Sequence, residues 1–186
     1  MVTIRQIRTD DAERLQTAHE RLSPESRYRR FMSSKPHLST ADTRYLVDID
    51  GFDHYALVAT HPDDGGDAEA IVAVARFVRI ASDPETAEFA IVVGDLYQRQ
   101  GLATSLMSAL AAAAAERGVL RFRAEIFSDN VAITRLMEAL AVGEPRCRRL
   151  GSICEVEIDL PARPGEPVEV EIGLPAPEMI AGCAGS

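Results

Sequence analysis

The chain has little of what most often announces a function. It has a single lysine, Lys35, and a formal charge of -9 over 186 residues. That balance argues against nucleic acid as the main partner, because binding phosphates at that scale needs a dense basic surface. A cationic partner such as an amine suits it better. The three cysteines, Cys147, Cys154 and Cys183, form no metal-type spacing, and an odd number fits a reducing compartment better than a disulfide framework. Cys147 and Cys154 flank a hairpin and a bridge there is open in principle, but both are read as free thiols. His19, His37, His54 and His61 are scattered without ligand spacing, so no metal is assigned. No long apolar run occurs, so neither a signal peptide nor a membrane span is expected, and a cytoplasmic location is the default. Internal repeats are absent as well.

What is present is an ordinary globular composition, 46% hydrophobic with 26% charged. It suits one domain over residues 1–160, with a Pro/Gly-rich tail over 161–186 that holds at most one extra strand, Val168 to Ile172. The chain is organised around Glu88 to Thr104. An apolar strand carrying Glu88 leads through Gly94 and Asp95 into the loop Gln98-Arg99-Gln100-Gly101-Leu102-Ala103. Leu102, Leu106, Leu110 and Ala113 then recur at helical spacing. The loop therefore lies at a helix N-terminus, where unpaired N–H groups and a partial positive charge favour phosphate. Gly101 permits a positive φ or a close backbone approach, and small Ala103 leaves space above the amides. No Lys-Ser/Thr follows the glycine, which excludes a triphosphate P-loop, and the first two glycines of a dinucleotide fingerprint are missing.

Around this stretch the sequence predicts an opening strand over 2–8, a helix to about Arg21, and a second helix started by Ser23-Pro24-Glu25. Arg27, Arg29 and Arg30 on that helix read as a solvated face with Tyr28 and Phe31 packed inward; a basic patch on the acceptor or cofactor side is the alternative. Ser39 caps a third short helix. Strands follow at 54–60 and 69–79, joined by a turn at 62–67. Ala81 to Glu85 forms the next turn, before the Glu88 strand. A helix over 101–117 ends at Gly118 in a left-handed cap. A strand over 119–127 comes next, with Leu120, Phe122, Ala124 and Ile126 on its inner face. A helix-linked return makes that strand parallel to the Glu88 strand. Asn130 caps a helix to about 141 whose Ile133, Leu136, Met137 and Leu140 face inward, and a hairpin turns near Gly151.

The loop Gln98 to Ala103, the upstream Ala87-Glu88-Phe89-Ala90 context and Asn130-Val131-Ala132-Ile133 together resemble the GNAT superfamily of N-acetyltransferases. The segments Asp10 to Leu15 and Arg21 to Tyr28 look like those of its bacterial members that acetylate protein lysines. The resemblance implies an α/β (α+β) fold with a mixed, mostly antiparallel sheet splayed at the cofactor cleft and flanked by helices. It implies acetyl-CoA as cosubstrate. Its pantetheine arm would pair with Ile91, Val92 and Val93, its pyrophosphate would meet the amides of Arg99, Gln100, Gly101, Leu102, Ala103 and Thr104, and Gln98 and Asn130 would be further contacts. Glu88 is implied as general base, sharing a face with the small Ala90 and with Val92. A base is useful because a lysine amine has a pKa of about 10.4 and is almost wholly protonated at neutral pH. The family's usual thiolate-protonating tyrosine is replaced by Met137, and Tyr97 is read as packing. The acceptor implied is a protein lysine, such as one on an acyl-CoA synthetase. A small amine or a non-catalytic acyl-CoA sensor are the alternatives, with no nucleic acid or membrane partner and a monomer or homodimer as the assembly.

Overall fold

The computed structural model describes residues 2–33, 35–62 and 69–161. The turn expected at 62–67 lies almost wholly outside them, as do Cys183 and the tail with its candidate strand. After a short strand β1 (Thr3–Gln6) come three helices, α1 (Ala12–Glu20), α2 (Pro24–Phe31) and α3 (Thr40–Val47). The starts of α2 and α3 follow from side-chain capping: Ser23 Oγ accepts from the Ser26 amide with Pro24 at the first helical position, and Ser39 and Asp42 form a reciprocal capping box.

A meander of β2 (His54–Pro62), β3 (Glu69–Ile80) and β4 (Asp83–Val93) follows, then α4 (Leu102–Glu116), β5 (Arg121–Phe127), α5 (Val131–Leu140) and the hairpin β6 (Arg146–Leu150) with β7 (Ile153–Asp159). The seven strands form one sheet in the order β1-β2-β3-β4-β5-β7-β6. Only β4 and β5 pair in parallel, as the helical return between them requires. Alternation along the central strands supplies two cores. One face packs Leu57, Ala75, Phe77, Phe89 and Phe122 under Leu106, Met107 and Leu110 of α4 and Leu136 and Met137 of α5. The other packs Ala56, Val58, Ile71 and Val74 under Leu15 of α1, Leu46 of α3 and Leu38 of the connection before α3.

Three expectations are corrected. Asp83, Pro84 and Glu85 belong to β4 rather than to the preceding turn. The β3 register jumps from Arg79↔Ala87 to Ile80↔Asp83, so Pro84 sits in a bulge where its missing N–H costs no ladder bond. Leu120 is 43% exposed, because β5 begins one residue later and Val119 takes the buried place. Cys147 and Cys154 are disulfide-bonded, not free; the hairpin turn at Gly151 brings their Cα atoms to 6.1 Å, within bonding range. Among the described residues, no helix is long and apolar enough to cross a membrane.

Candidate active site

The parallel pairing of β4 with β5 covers three positions only, Thr86↔Arg121, Ala87↔Phe122 and Glu88↔Arg123. Beyond Glu88 the two strands diverge, while β4 remains paired with β3 as far as Val93. The divergence leaves a cleft of about 720 Å³ between the separated strands, floored by Ile91, Val92 and Val93 and closed at one end by the start of α4. One edge of β4 is thus left without a neighbouring strand, and backbone groups there are open to an extended ligand.

At the head of α4 the backbone makes a concave turn. Arg99 has φ 60° and Gly101 has φ 82°. A Cβ on Gly101 would meet nothing within 4 Å, so the backbone angle and not protein crowding calls for glycine. None of the N–H groups from Arg99 to Thr104 reaches a backbone carbonyl among the described residues, and α4 has no side-chain cap. Successive free amides in such a turn, with the helix dipole behind them, form a nest for an anion. The residues present therefore fit a diphosphate. Arg99 and Arg135 add exposed guanidinium groups to the same cleft.

Of the residues singled out from sequence, Ile91, Val92, Val93, Gln98, Arg99, Gly101, Ala103, Thr104 and Asn130 line the cleft. Gln100 and Leu102 do not: Gln100 Nε2 donates back to the Leu96 carbonyl at 2.8 Å, and Leu102 is 1% exposed, its side chain in the core. Only their main-chain groups are available. The Val93 carbonyl, expected to meet the pantetheine arm, accepts from Gln98 Nε2 at 3.1 Å. Asn130 Oδ1 accepts from the Ile133 amide at 3.3 Å, the capping role expected of it.

Glu88 lies at the point where the strands part, but not as expected. It is one alternation step from Ala90 and lines neither this cleft nor the neighbouring cavity. Its side chain is 67% exposed and ion-paired with Arg123 at 3.7 Å rather than enclosed by apolar groups. The register explains this, since Arg123 stands directly opposite Glu88 on β5. Met137 is buried in the core and Tyr97 packs against it, both as read from sequence.

The roof follows the alternative reading of the α2 arginines and not the preferred one. Helix α2 lies over the cleft and contributes Ser23, Ser26, Arg29 and Arg30 to its lining. Asp95 anchors it, accepting from the Ser23 amide and hydroxyl at 2.8 Å each and from Ser26 Oγ at 2.7 Å. Burial works against the Asp95 charge, but these donors outweigh it and hold the carboxyl below the usual range. On the far side Arg29 reaches Asp129 at 3.4 Å, and Tyr28 stacks on Phe127 with ring centres 5.2 Å apart. The arginines of α2 are therefore not a plain solvated face, and Tyr28 is half exposed while bridging to β5. The signal for this was Asp95 itself, an acid just after the strand, with one serine capping α2 and another in its first turn to receive it.

A second cavity of about 570 Å³ lies between the sheet and α1–α3. It shares Arg30, Ala90, Val92, Asp95 and Tyr97 with the first, so the two meet at the middle of β4. The arrangement is a slot for an extended anionic molecule opening onto a separate chamber, which is what transfer between two substrates requires.

Comparison with known proteins agrees. Residues 1–141 match the family model described as an acetyltransferase (GNAT) domain. The chain is 35% identical over 170 residues to acetyltransferase Pat of Mycolicibacterium smegmatis, covering 91% of this chain and 49% of Pat, so it spans about half the length of that relative. It is 34% identical over 139 residues to acetyltransferase PA5475 of Pseudomonas aeruginosa, covering 75% of this chain and 71% of that protein. The crystal structure of the GNAT domain of S. lividans PAT superposes with a TM-score of 0.75 at 34% identity, covering 86% of this chain and 90% of that one. On its fold, its loop and these matches, the chain belongs to the GNAT acetyltransferase domain family.

Proposed function

We propose that the chain transfers the acetyl group of acetyl-CoA to the ε-amine of a protein lysine, with Glu88 as general base. The observation that carries this is the divergence of β4 from β5 at Glu88, with the unbonded amides of Arg99 to Thr104 at its far end. In this reading those amides hold the diphosphate, the free edge of Ile91 and Val92 holds the pantetheine arm, and Asn130 offers its side-chain amide to the same arm. Acetyl-CoA supplies an acetyl group already activated as a thioester. The acceptor amine attacks that carbon directly, its proton passing to Glu88 as the thiolate leaves. Arg123 pairs with the Glu88 carboxylate at the point where the strands part. With Met137 sealed in the core, protonation of the departing thiolate falls to water or to the protonated amine.

The likeness to Pat and to the S. lividans PAT domain supports a protein acceptor, and the acidic balance of the chain supports a cationic one. The exposure of Glu88 favours one competing reading, a non-catalytic acyl-CoA sensor that uses the cleft without transfer. Thiol release from acetyl-CoA separates them when lysine peptides, acyl-CoA synthetases and small amines are offered. Release is expected with a protein or peptide lysine, and Glu88→Gln is expected to lower kcat by about 10²–10⁴-fold while acetyl-CoA still binds. Unchanged turnover in Glu88→Gln removes the base assignment; binding without release to any acceptor removes transfer.

A further inference from the structure

We propose that the second cavity, between the sheet and α1–α3, binds an organic carboxylate whose charged end lies between Arg30 and Arg76 and whose apolar stem lies against Leu38, Ile71 and Val74. Arg76 is an anomaly on its strand. It interrupts the apolar run from Ile71 to Phe77, is 5% exposed, and lines the cavity wall. One nitrogen, Nη1, donates to the Leu46 carbonyl at 3.1 Å and faces His54 Nε2, also at 3.1 Å. Its Nε is buried with no partner. Arg30 reaches the same cavity from α2, its guanidinium 4.8 Å from the centre of the Phe31 ring.

No carboxylate forms an ion pair with either arginine among the described residues. Asp95, the acidic residue in the lining, is fully engaged with Ser23 and Ser26. Burial pushes the Arg76 guanidinium down to about 9, helped by the nearby Arg30 charge, and pushes Arg30 down to about 10, so both are still charged at neutral pH. His54, also lowered by burial and by Arg76, is no counter-charge. Two unneutralised guanidinium groups in a largely apolar chamber are costly, and a carboxylate accepting from the Arg76 fork relieves that cost. The apolar wall selects against a bare inorganic ion and for an acid with a hydrocarbon stem.

This inference stands apart from acetyl transfer, because binding is read without acetyl-CoA. Isothermal titration of the full chain with hexanoate and with hexanamide, which keeps the stem and removes the charge, is the test. Hexanoate is expected to bind at least tenfold more tightly, and Arg76→Gln or Arg30→Gln to remove the difference. Equal affinity for the acid and the amide, which needs no variant and so no refolded mutant, overturns the proposal. Full retention of hexanoate binding in both variants overturns it too. Offering 6-aminohexanoate with acetyl-CoA then separates the sources of the carboxylate. Thiol release above the hexanoate control marks the carboxylate as the acceptor's own far end, whereas inhibition of lysine acetylation by hexanoate marks a separate ligand.

Discussion

The two ends of the β4–β5 pair differ in almost every physical respect. At the closed end the polar groups bind one another: Thr86 Oγ1 donates to Asp83 at 2.6 Å and accepts from Arg121 Nε at 3.0 Å, Arg121 also pairs with Asp83 at 3.2 Å, and the Leu120 amide donates to the Glu85 carbonyl at 2.7 Å. Past Glu88 the strands are apart, and the amides of Arg99 to Thr104 that open α4 have no acceptor among the described residues. A sheet left to itself would zip along its length, since unmade main-chain bonds are costly. The side-chain clasp holds the strands together at one end, and Glu88 with Arg123 stands where the pairing stops.

The sharpest way to break the contrast is at the open end. Gly101→Val forces a β-branched residue into φ 82°, at a cost of about 1–3 kcal/mol, and places methyl groups where the diphosphate would sit. Acetyl-CoA affinity measured by calorimetry is expected to fall tenfold or more, since about 1.4 kcal/mol is a factor of ten. An unchanged affinity would mean that the nest is not the anchor.

At the closed end, Thr86→Val keeps the shape of a residue that is 1% exposed and removes both hydroxyl bonds. Urea unfolding is expected to show a loss of about 1–3 kcal/mol. Acetyl-CoA affinity should fall far less than in Gly101→Val; equal losses of affinity would dissolve the distinction between clasp and cleft.

The smallest effect is a dependence on acidity. The Thr86 hydroxyl and then Arg121 hold the Asp83 carboxyl below its ordinary value of 3.8. A depressed carboxylate stabilises the fold above its unfolded pKa, and that contribution disappears as the pH falls through the depressed folded value. Stability is therefore expected to decline below about pH 4, and Asp83→Asn to flatten part of that decline. A steeper decline in the variant would contradict the sign.

What could be read in the sequence was local. Caps at Ser23, Ser39 and Asn130, the glycine at φ 82° and the helix behind it each depend on a few adjacent residues, and all stand where the sequence put them. What escaped depended on partners distant in the chain. The arginines of α2 have the same spacing whether they face water or a cleft, and only the Asp95 anchor, some seventy positions away, decides it. Arg123 opposite Glu88 is a matter of register between strands joined by a whole helix. The Cys147–Cys154 bridge, by contrast, is local, and the odd cysteine count argued against it. Arg76 carried the clearest unread signal, a charge amid consecutive apolar residues on a central strand.

The central claim is that the main-chain amides from Arg99 to Thr104 grip the diphosphate of acetyl-CoA, and amide hydrogen exchange followed residue by residue in ¹⁵N spectra reports on it directly. On saturation with acetyl-CoA those amides are expected to shift and to slow by at least tenfold, while the amides of the Thr86 to Glu88 clasp keep their rates. Saturable binding that leaves the exchange of the Arg99–Thr104 amides unaltered would contradict the account.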